Sequence, residues 1–149
     1  MMNFMEHFLK EKYPEYDYCM AVADMEYEDK EKVKKQLGCP KHWNEISFDE
    51  LKKNKEMIYF IPDKMKLYYF PLYIKYLLEK NQESRDYYID DVFLLTLKDI
   101  DLSVMNRNQI VSLIKFLNFL EEKDLIDDKE KLFVVIKRLK DYVKNFKTA

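Results

Sequence analysis

Gly38 is the only glycine in a chain of 149 residues. Average usage of about 7% would place roughly ten in that length. Phosphate-cradling loops, dinucleotide turns and nucleophile elbows all need glycine, for positive φ or for close approach of backbone to ligand. A chain this poor in glycine cannot build them. Scarce glycine and four prolines also favour helices joined by short connections over a turn-rich β-sandwich. The expected fold is therefore mostly α, with about five or six helices.

The length suits a single domain, residues 1–149, which buries roughly 68–70% of its unfolded surface and needs no staples to fold. Apolar residues make up 48% and charged residues 36%, a globular rather than a disordered balance. Twelve Tyr and ten Phe supply large contact areas for a core or an interface. The net charge of −2 gives no global pull toward nucleic acid or anionic membrane. Only Arg85, Arg107 and Arg138 are arginines, against 23 lysines, and arginine is the residue suited to bidentate phosphate and base contacts.

Cys19 and Cys39 are too few for a disulfide framework and suit a reducing compartment. The amino-terminal MMNFMEHFLKEKYPEYD carries charge too early for a secretory leader. No apolar run reaches the 18 or so residues of a membrane span. The expectation is a cytoplasmic protein.

Phe4, Met5, Phe8 and Leu9 recur at helical spacing before Pro14. Residues 26–38 read as a charged helix stopped by Gly38 and Pro40. Ser47 with Glu50 forms a capping box for a short helix. Residues 57–80 are the most apolar region. There the pattern predicts an extended segment over 57–61 and an extended stretch or helical turn over 66–70. A helix follows to about residue 80, with Pro71 in its first position. A small β-hairpin near residues 57–70 would fit across 62–64. Residues 89–97 read as a helix with Asp90 and Asp91 in its first turn. Asn106 with Gln109 makes a second capping box for a helix to about residue 122, its apolar stripe being Ile110, Leu113, Ile114, Leu117 and Leu120. Asp127 or Asp128 caps the last helix, whose stripe is Leu132, Val135, Leu139, Tyr142 (or Val143) and Phe146. These two helices should pair antiparallel across a short turn.

The stretch from Trp43 through Phe60-Ile61-Pro62 to Tyr68-Tyr69-Phe70-Pro71-Leu72-Tyr73 resembles an uncharacterised bacterial family of small proteins, a domain of unknown function. The pattern is W-x-x-I, then L-x-F-[LI]-x-P, then [RK]-[FY]-[YH]-[LF]-P-x-[YF]-[ML]. Matching residues are Trp43, Ile46, Leu51, Tyr59, Phe60, Ile61, Pro62, Leu67, Tyr68, Tyr69, Phe70, Pro71 and Tyr73. Gln109, Phe116 and Leu117 fit a later helix of the family. The resemblance covers about residues 43–123. Asp63-Lys64-Met65 stands where members often carry glycine after the first proline. It implies a shared fold and a bacterial or phage source, and no activity.

Candidate chemistry is thin. Cys39 and His42, with Cys19 and His7, offer four zinc donors, but only one half is compact, whereas structural sites usually repeat a short-spaced pair. Pro62-Asp63 with Glu121-Glu122-Lys123 is similar to a metal-dependent nuclease motif, but that chemistry needs carboxylates aimed at one phosphate, and Glu121 and Lys123 fall at a helix terminus. Four serines (Ser47, Ser84, Ser103 and Ser112) and two histidines show no nucleophile signature. No catalytic group, cofactor or metal is expected. The final helix, residues 129–147, holds seven bases and two acids. It could serve a small nucleic-acid-binding regulator, although lysines on a solvated helix face are ordinary.

One charge asymmetry suggests a partner. Residues 15–31 hold seven acids and one base, Lys30, with Tyr13, Tyr16, Tyr18 and Tyr27 interleaved or adjacent. Carboxylates steer toward a cationic surface and tyrosines anchor on it. The expectation is a non-catalytic, protein-binding inhibitor of the immunity or counter-defence type. Its basic partner, a toxin or a defence enzyme, would meet Glu15, Tyr16, Asp17, Asp24, Glu26, Tyr27, Glu28 and Asp29.

Overall fold

A computed structural model describes residues 4–11, 42–53, 55–79 and 86–146. Among them are five α-helices and no strand: α1 (Phe48–Lys53), α2 (Asp63–Glu79), α3 (Tyr87–Asp99), α4 (Arg107–Glu122) and α5 (Lys129–Phe146). No described helix is long and apolar enough to cross a membrane.

The helix starts follow from capping chemistry. Glu50 N–H donates to Ser47 Oγ at 3.1 Å and Ser47 N–H to Glu50 Oε1 at 3.3 Å, completing the box that opens α1. Asp86 accepts from Tyr88 N–H at the start of α3. Asn106 and Gln109 exchange bonds of 2.9 and 3.0 Å at the start of α4. Of the two candidates for α5, Asp128 is the cap, accepting from Lys131 N–H at 3.0 Å. Each cap satisfies donors that the first helical turn leaves without partners.

The end of α4 shows how a glycine-poor chain stops a helix. Asp124 takes φ 54°, the left-handed region usually given to glycine. Its N–H donates to Glu121 O at 3.0 Å, and Leu125 N–H donates back to Leu120 O at 2.9 Å. This is the paired-bond helix stop known as a Schellman motif. Aspartate is among the few residues that tolerate the conformation.

Side-chain bonds fix the helix directions. Asp63, at the start of α2, accepts from Asp101 N–H just past α3, and Asp86 N–H donates to Tyr76 Oη near the end of α2. Hence α2 and α3 are antiparallel. Lys131 meets Asp91 near the start of both their helices, and Arg138 meets Leu97 further along both. Hence α3 and α5 run parallel. The short connection from Lys123 to Asp128 folds α5 back antiparallel to α4. Buried side chains from all five helices join one cluster. The stripes expected of α4 and α5 are buried at Ile110, Leu113, Leu117, Leu120, Leu132, Val135 and Leu139, while Phe146 stays partly exposed.

The sequence expectation fails at residues 57–61 and at Pro71, whereas residues 66–70 take the helical alternative. Residues 57–61, expected extended, contain the 3-10 turn Met57–Phe60, so no hairpin forms there. The Pro62 carbonyl accepts from Met65 and Lys66 N–H at 2.9 and 3.1 Å, which starts α2 directly after that proline. Pro71 is therefore inside the helix rather than at its first position. Its ring removes the N–H that the Leu67 carbonyl would accept. Burial outweighs that loss, since Leu67, Tyr69, Phe70, Leu72, Tyr73 and Ile74 are all at most 1% exposed.

Candidate protein-binding surface

Most of the aromatic motif is core. Ile46, Leu51, Ile61, Leu67, Tyr68, Tyr69, Phe70 and Tyr73 are buried. Tyr68 Oη lies 3.0 Å from His42 Nδ1 and accepts from Trp43 N–H at 3.4 Å. That phenol pins residues 42–46 onto α2. His42, offered above as a metal ligand, thus contacts a phenol. Cys19 and Cys39 lie outside the described residues.

Among the motif side chains that the structure describes, Tyr59 faces solvent at 39% exposure, and Tyr88 is 42% exposed. The Tyr88 hydroxyl donates to the Glu56 carboxylate. Lys55 Nζ sits 5.2 Å from the centre of the Tyr88 ring and 3.1 Å from Asp86 Oδ2, so one cation contacts both the ring and a carboxylate.

The field at this patch is negative. Burial first, then the nearby Tyr88, Glu56, Asp91 and Asp99, pushes the Tyr59 phenol up to about 12. Tyr88 is raised as well, chiefly by its bond to Glu56. Asp91 links the tyrosines to a cavity of about 140 Å³ lined by Asp90, Asp91, Ile126, Asp127 and Asp128. Lys131 answers this charge, 3.4 Å from Asp91 and 3.7 Å from Asp128. Phenols held protonated among carboxylates are poor nucleophiles. Aromatic faces of this kind receive lysine or arginine side chains of another protein.

The nuclease-like residues do not converge. Both oxygens of Asp63 are taken, Oδ1 by Lys66 Nζ at 2.8 Å and Oδ2 by Asp101 N–H at 2.8 Å. Glu121 and Glu122 are exposed at the opposite end of α4 from the Asp63 corner, a helix of roughly 24 Å at 1.5 Å per residue. Among the described residues no group of three His, Cys, Asp or Glu is placed to hold a metal.

The basic final helix spends much of its charge internally. Lys129 pairs with Asp124 at 2.7 Å, Lys131 with Asp91 and Asp128, and Lys144 with Asp141 at 4.0 Å. Arg138 donates to the carbonyls of Leu97 and Ile100. Lys137 and Lys140 remain exposed. Phe133, 68% exposed, precedes Lys137 by one helical turn.

Glu15, Tyr16, Asp17, Asp24, Glu26, Tyr27, Glu28 and Asp29 lie outside the described residues. The Tyr59–Tyr88 patch went unnoticed in the sequence, because Glu56 and Asp91 are 35 positions apart and only the meeting of the 57–60 turn with α3 joins them.

The chain is helical, and its aromatic motif builds the core while Tyr59 stays outside. It belongs to a family of unknown function (DUF6714), whose family model matches residues 17–146. No curated protein and no solved structure matches the chain.

Proposed function

We propose that this protein is a non-catalytic, protein-binding inhibitor of the immunity or counter-defence type, acting in a bacterial or phage setting on a basic partner such as a toxin or defence enzyme. The observation that supports it most is the pair of exposed tyrosines, Tyr59 and Tyr88, set among Glu56, Asp91 and Asp99. Large aromatic side chains are the usual anchors of protein interfaces, and surrounding charge speeds encounter with a partner of opposite sign. Glu15, Tyr16, Asp17, Asp24, Glu26, Tyr27, Glu28 and Asp29 combine acids and tyrosines in the same way and are proposed as further partner-contacting residues. Partner and inhibitor meet at equal stoichiometry, with no turnover by this chain.

Affinity capture from lysate of the source cell tests this reading. The expected result is one basic protein at a one-to-one ratio, associating more slowly with the chain carrying Glu26→Lys and Asp29→Lys. Unchanged association would remove residues 15–29 from the interface. Retention on DNA that falls steeply with salt would favour instead the nucleic-acid regulator acting through Lys137 and Lys140.

A further inference from the structure

On α5 the buried residues Leu132, Val135, Ile136 and Leu139 face the core. On the outer side Glu130, Phe133, Lys137, Lys140 and Lys144 recur in alternating steps of three and four, and all five are exposed. Those steps set side chains in one line along a helix, the spacing by which two helices pair. Phe133 lies within that line and is the most exposed large apolar side chain among the described residues, with Val134, also exposed, beside it. A single exposed phenylalanine is ordinary. The charges around it are not.

The amino end of the line is acidic, at Glu130 with Asp127 just before the helix, and the carboxyl end is basic, at Lys137, Lys140 and Lys144. Other cations of the helix are spent within the molecule: Lys129 on Asp124, Lys131 on Asp91 and Asp128, and Arg138 on two carbonyls. Glu130, Lys137 and Lys140 form no ion pair among the described residues. Laid antiparallel, two copies of this line complement each other. Glu130 of each meets Lys140 of the other, and Phe133 of each meets Lys137 of the other. Both pairs are centred on position 135, so one two-fold axis makes every contact twice. A parallel pair would set Glu130 against Glu130 and lysine against lysine.

We propose that this protein forms a two-fold homodimer through the outer face of α5, which a second copy covers in antiparallel register. The Phe133 ring supplies the apolar centre and receives the Lys137 ammonium of the second copy on its face. The Glu130–Lys140 pairs flank it, fixing direction and register more than they add affinity. One helix against one helix buries less than about 1,200 Å² in total, the range of weak and transient contacts. The dimer therefore forms at micromolar concentration and above. Its face shares no residue with the Tyr59–Tyr88 patch, so the two readings stand or fall separately.

Sedimentation velocity of the full chain from about 1 µM to about 1 mM, the window of weak association, tests this. The expected result is a monomer–dimer equilibrium within that range, with Phe133→Ser weakening the dimer at least about tenfold. Glu130→Lys and Lys140→Glu should each weaken it as much, because like charges then face each other twice. An equimolar mixture of those two variants should associate again, and so should the double variant, since each pair is restored with its signs exchanged. Every substituted side chain is exposed, so the fold is retained, as circular dichroism checks. A monomer throughout the range overturns the proposal, and so does a dimer indifferent to Phe133→Ser or to the charge exchange. DNA retention by a monomeric chain, lost with Lys140→Glu, would give the lysines to phosphate instead. Capture of a basic partner by a monomeric chain, lost with Phe133→Ser, would give the face to that partner. Either result overturns the homodimer.

Discussion

Arg138 closes the end of a helix it does not belong to, donating to the Ile100 carbonyl at 2.7 Å and, with its other terminal nitrogen, to the Leu97 carbonyl at 2.8 Å. The usual partner of Leu97 O would be Asp101 N–H, but that group turns to Asp63. The carboxyl end of α3 thus leaves carbonyls that a cation from α5 satisfies, where the helix dipole also favours positive charge.

Arg138→Met keeps the aliphatic stem and removes the forked donor. It should lower the unfolding free energy by about 1.5–3 kcal/mol, the range for hydrogen bonds from a charged group. Arg138→Lys should recover less than half, because an ammonium lacks the planar fork. Urea denaturation followed by circular dichroism checks both, and full recovery by lysine would show that charge alone matters.

Asp63 ties the same corner to solution pH. Burial opposes its charge, but the Lys66 ammonium and the Asp101 N–H outweigh that and hold the carboxyl below its ordinary value of 3.8. Stability from a lowered carboxyl is fully present above the unfolded value, near 3.9, and is lost as pH falls through the lower folded value. Asp63→Asn should therefore flatten the decline in stability below about pH 4 and leave its shape near neutrality unchanged. Asp101, lowered by bonds from the Ser103 hydroxyl and N–H, titrates in the same direction, so the double variant should flatten the acid limb further. An acid limb identical to that of the unchanged chain would show that Asp63 gains nothing from its partners.

Asp124 offers a test of the backbone. Its φ of 54° disfavours most side chains, and its pair with Lys129 is largely exposed at the aspartate, 85%, so the pair contributes little. Asp124→Gly should leave stability unchanged or raise it by up to about 1 kcal/mol, since glycine adopts this conformation freely. Asp124→Val should cost about 1–2 kcal/mol, because a side chain branched at Cβ crowds this backbone conformation and lacks the polar oxygen that lets aspartate bond locally. Thermal unfolding of both variants checks the order; a valine variant as stable as the glycine one would mean the turn relaxes.

What the sequence made legible were local bonds and one-sided periodicity. Ser47 with Glu50 and Asn106 with Gln109 act within four residues, so their capping boxes could be read and are present. The stripes of α4 and α5 have a wet face opposite them, which gives a period to detect. In α2 the same reasoning breaks down, because residues 67–74 are buried on every side and a helix apolar all round has no period. Proline rules then favoured Pro71 as the start, when Pro62 already supplied one. Contacts distant in sequence, such as Gln109 to His7 or Tyr88 to Glu56, leave no local trace.

The Tyr59–Tyr88 patch predicts a particular pattern of binding defects once a basic partner is in hand. Tyr59 is held beneath the field of Glu56, Asp91 and Asp99 and is the less exposed of the two rings, the position that anchors usually occupy. Tyr59→Ala should weaken binding by about 30-fold, mainly through faster dissociation. Tyr88→Ala should weaken it less, about tenfold, since truncation also releases Lys55 from above the ring. Asp91→Lys reverses a rim charge and should instead slow association, with the deficit shrinking as salt screens the field. Tyr59→Phe separates the ring from its hydroxyl: near-full affinity would assign the contact to the aromatic face, and a loss equal to alanine would assign it to the phenol as donor. Surface plasmon resonance resolves the two rates, and variants that all bind like the unchanged chain would remove this face from the interface.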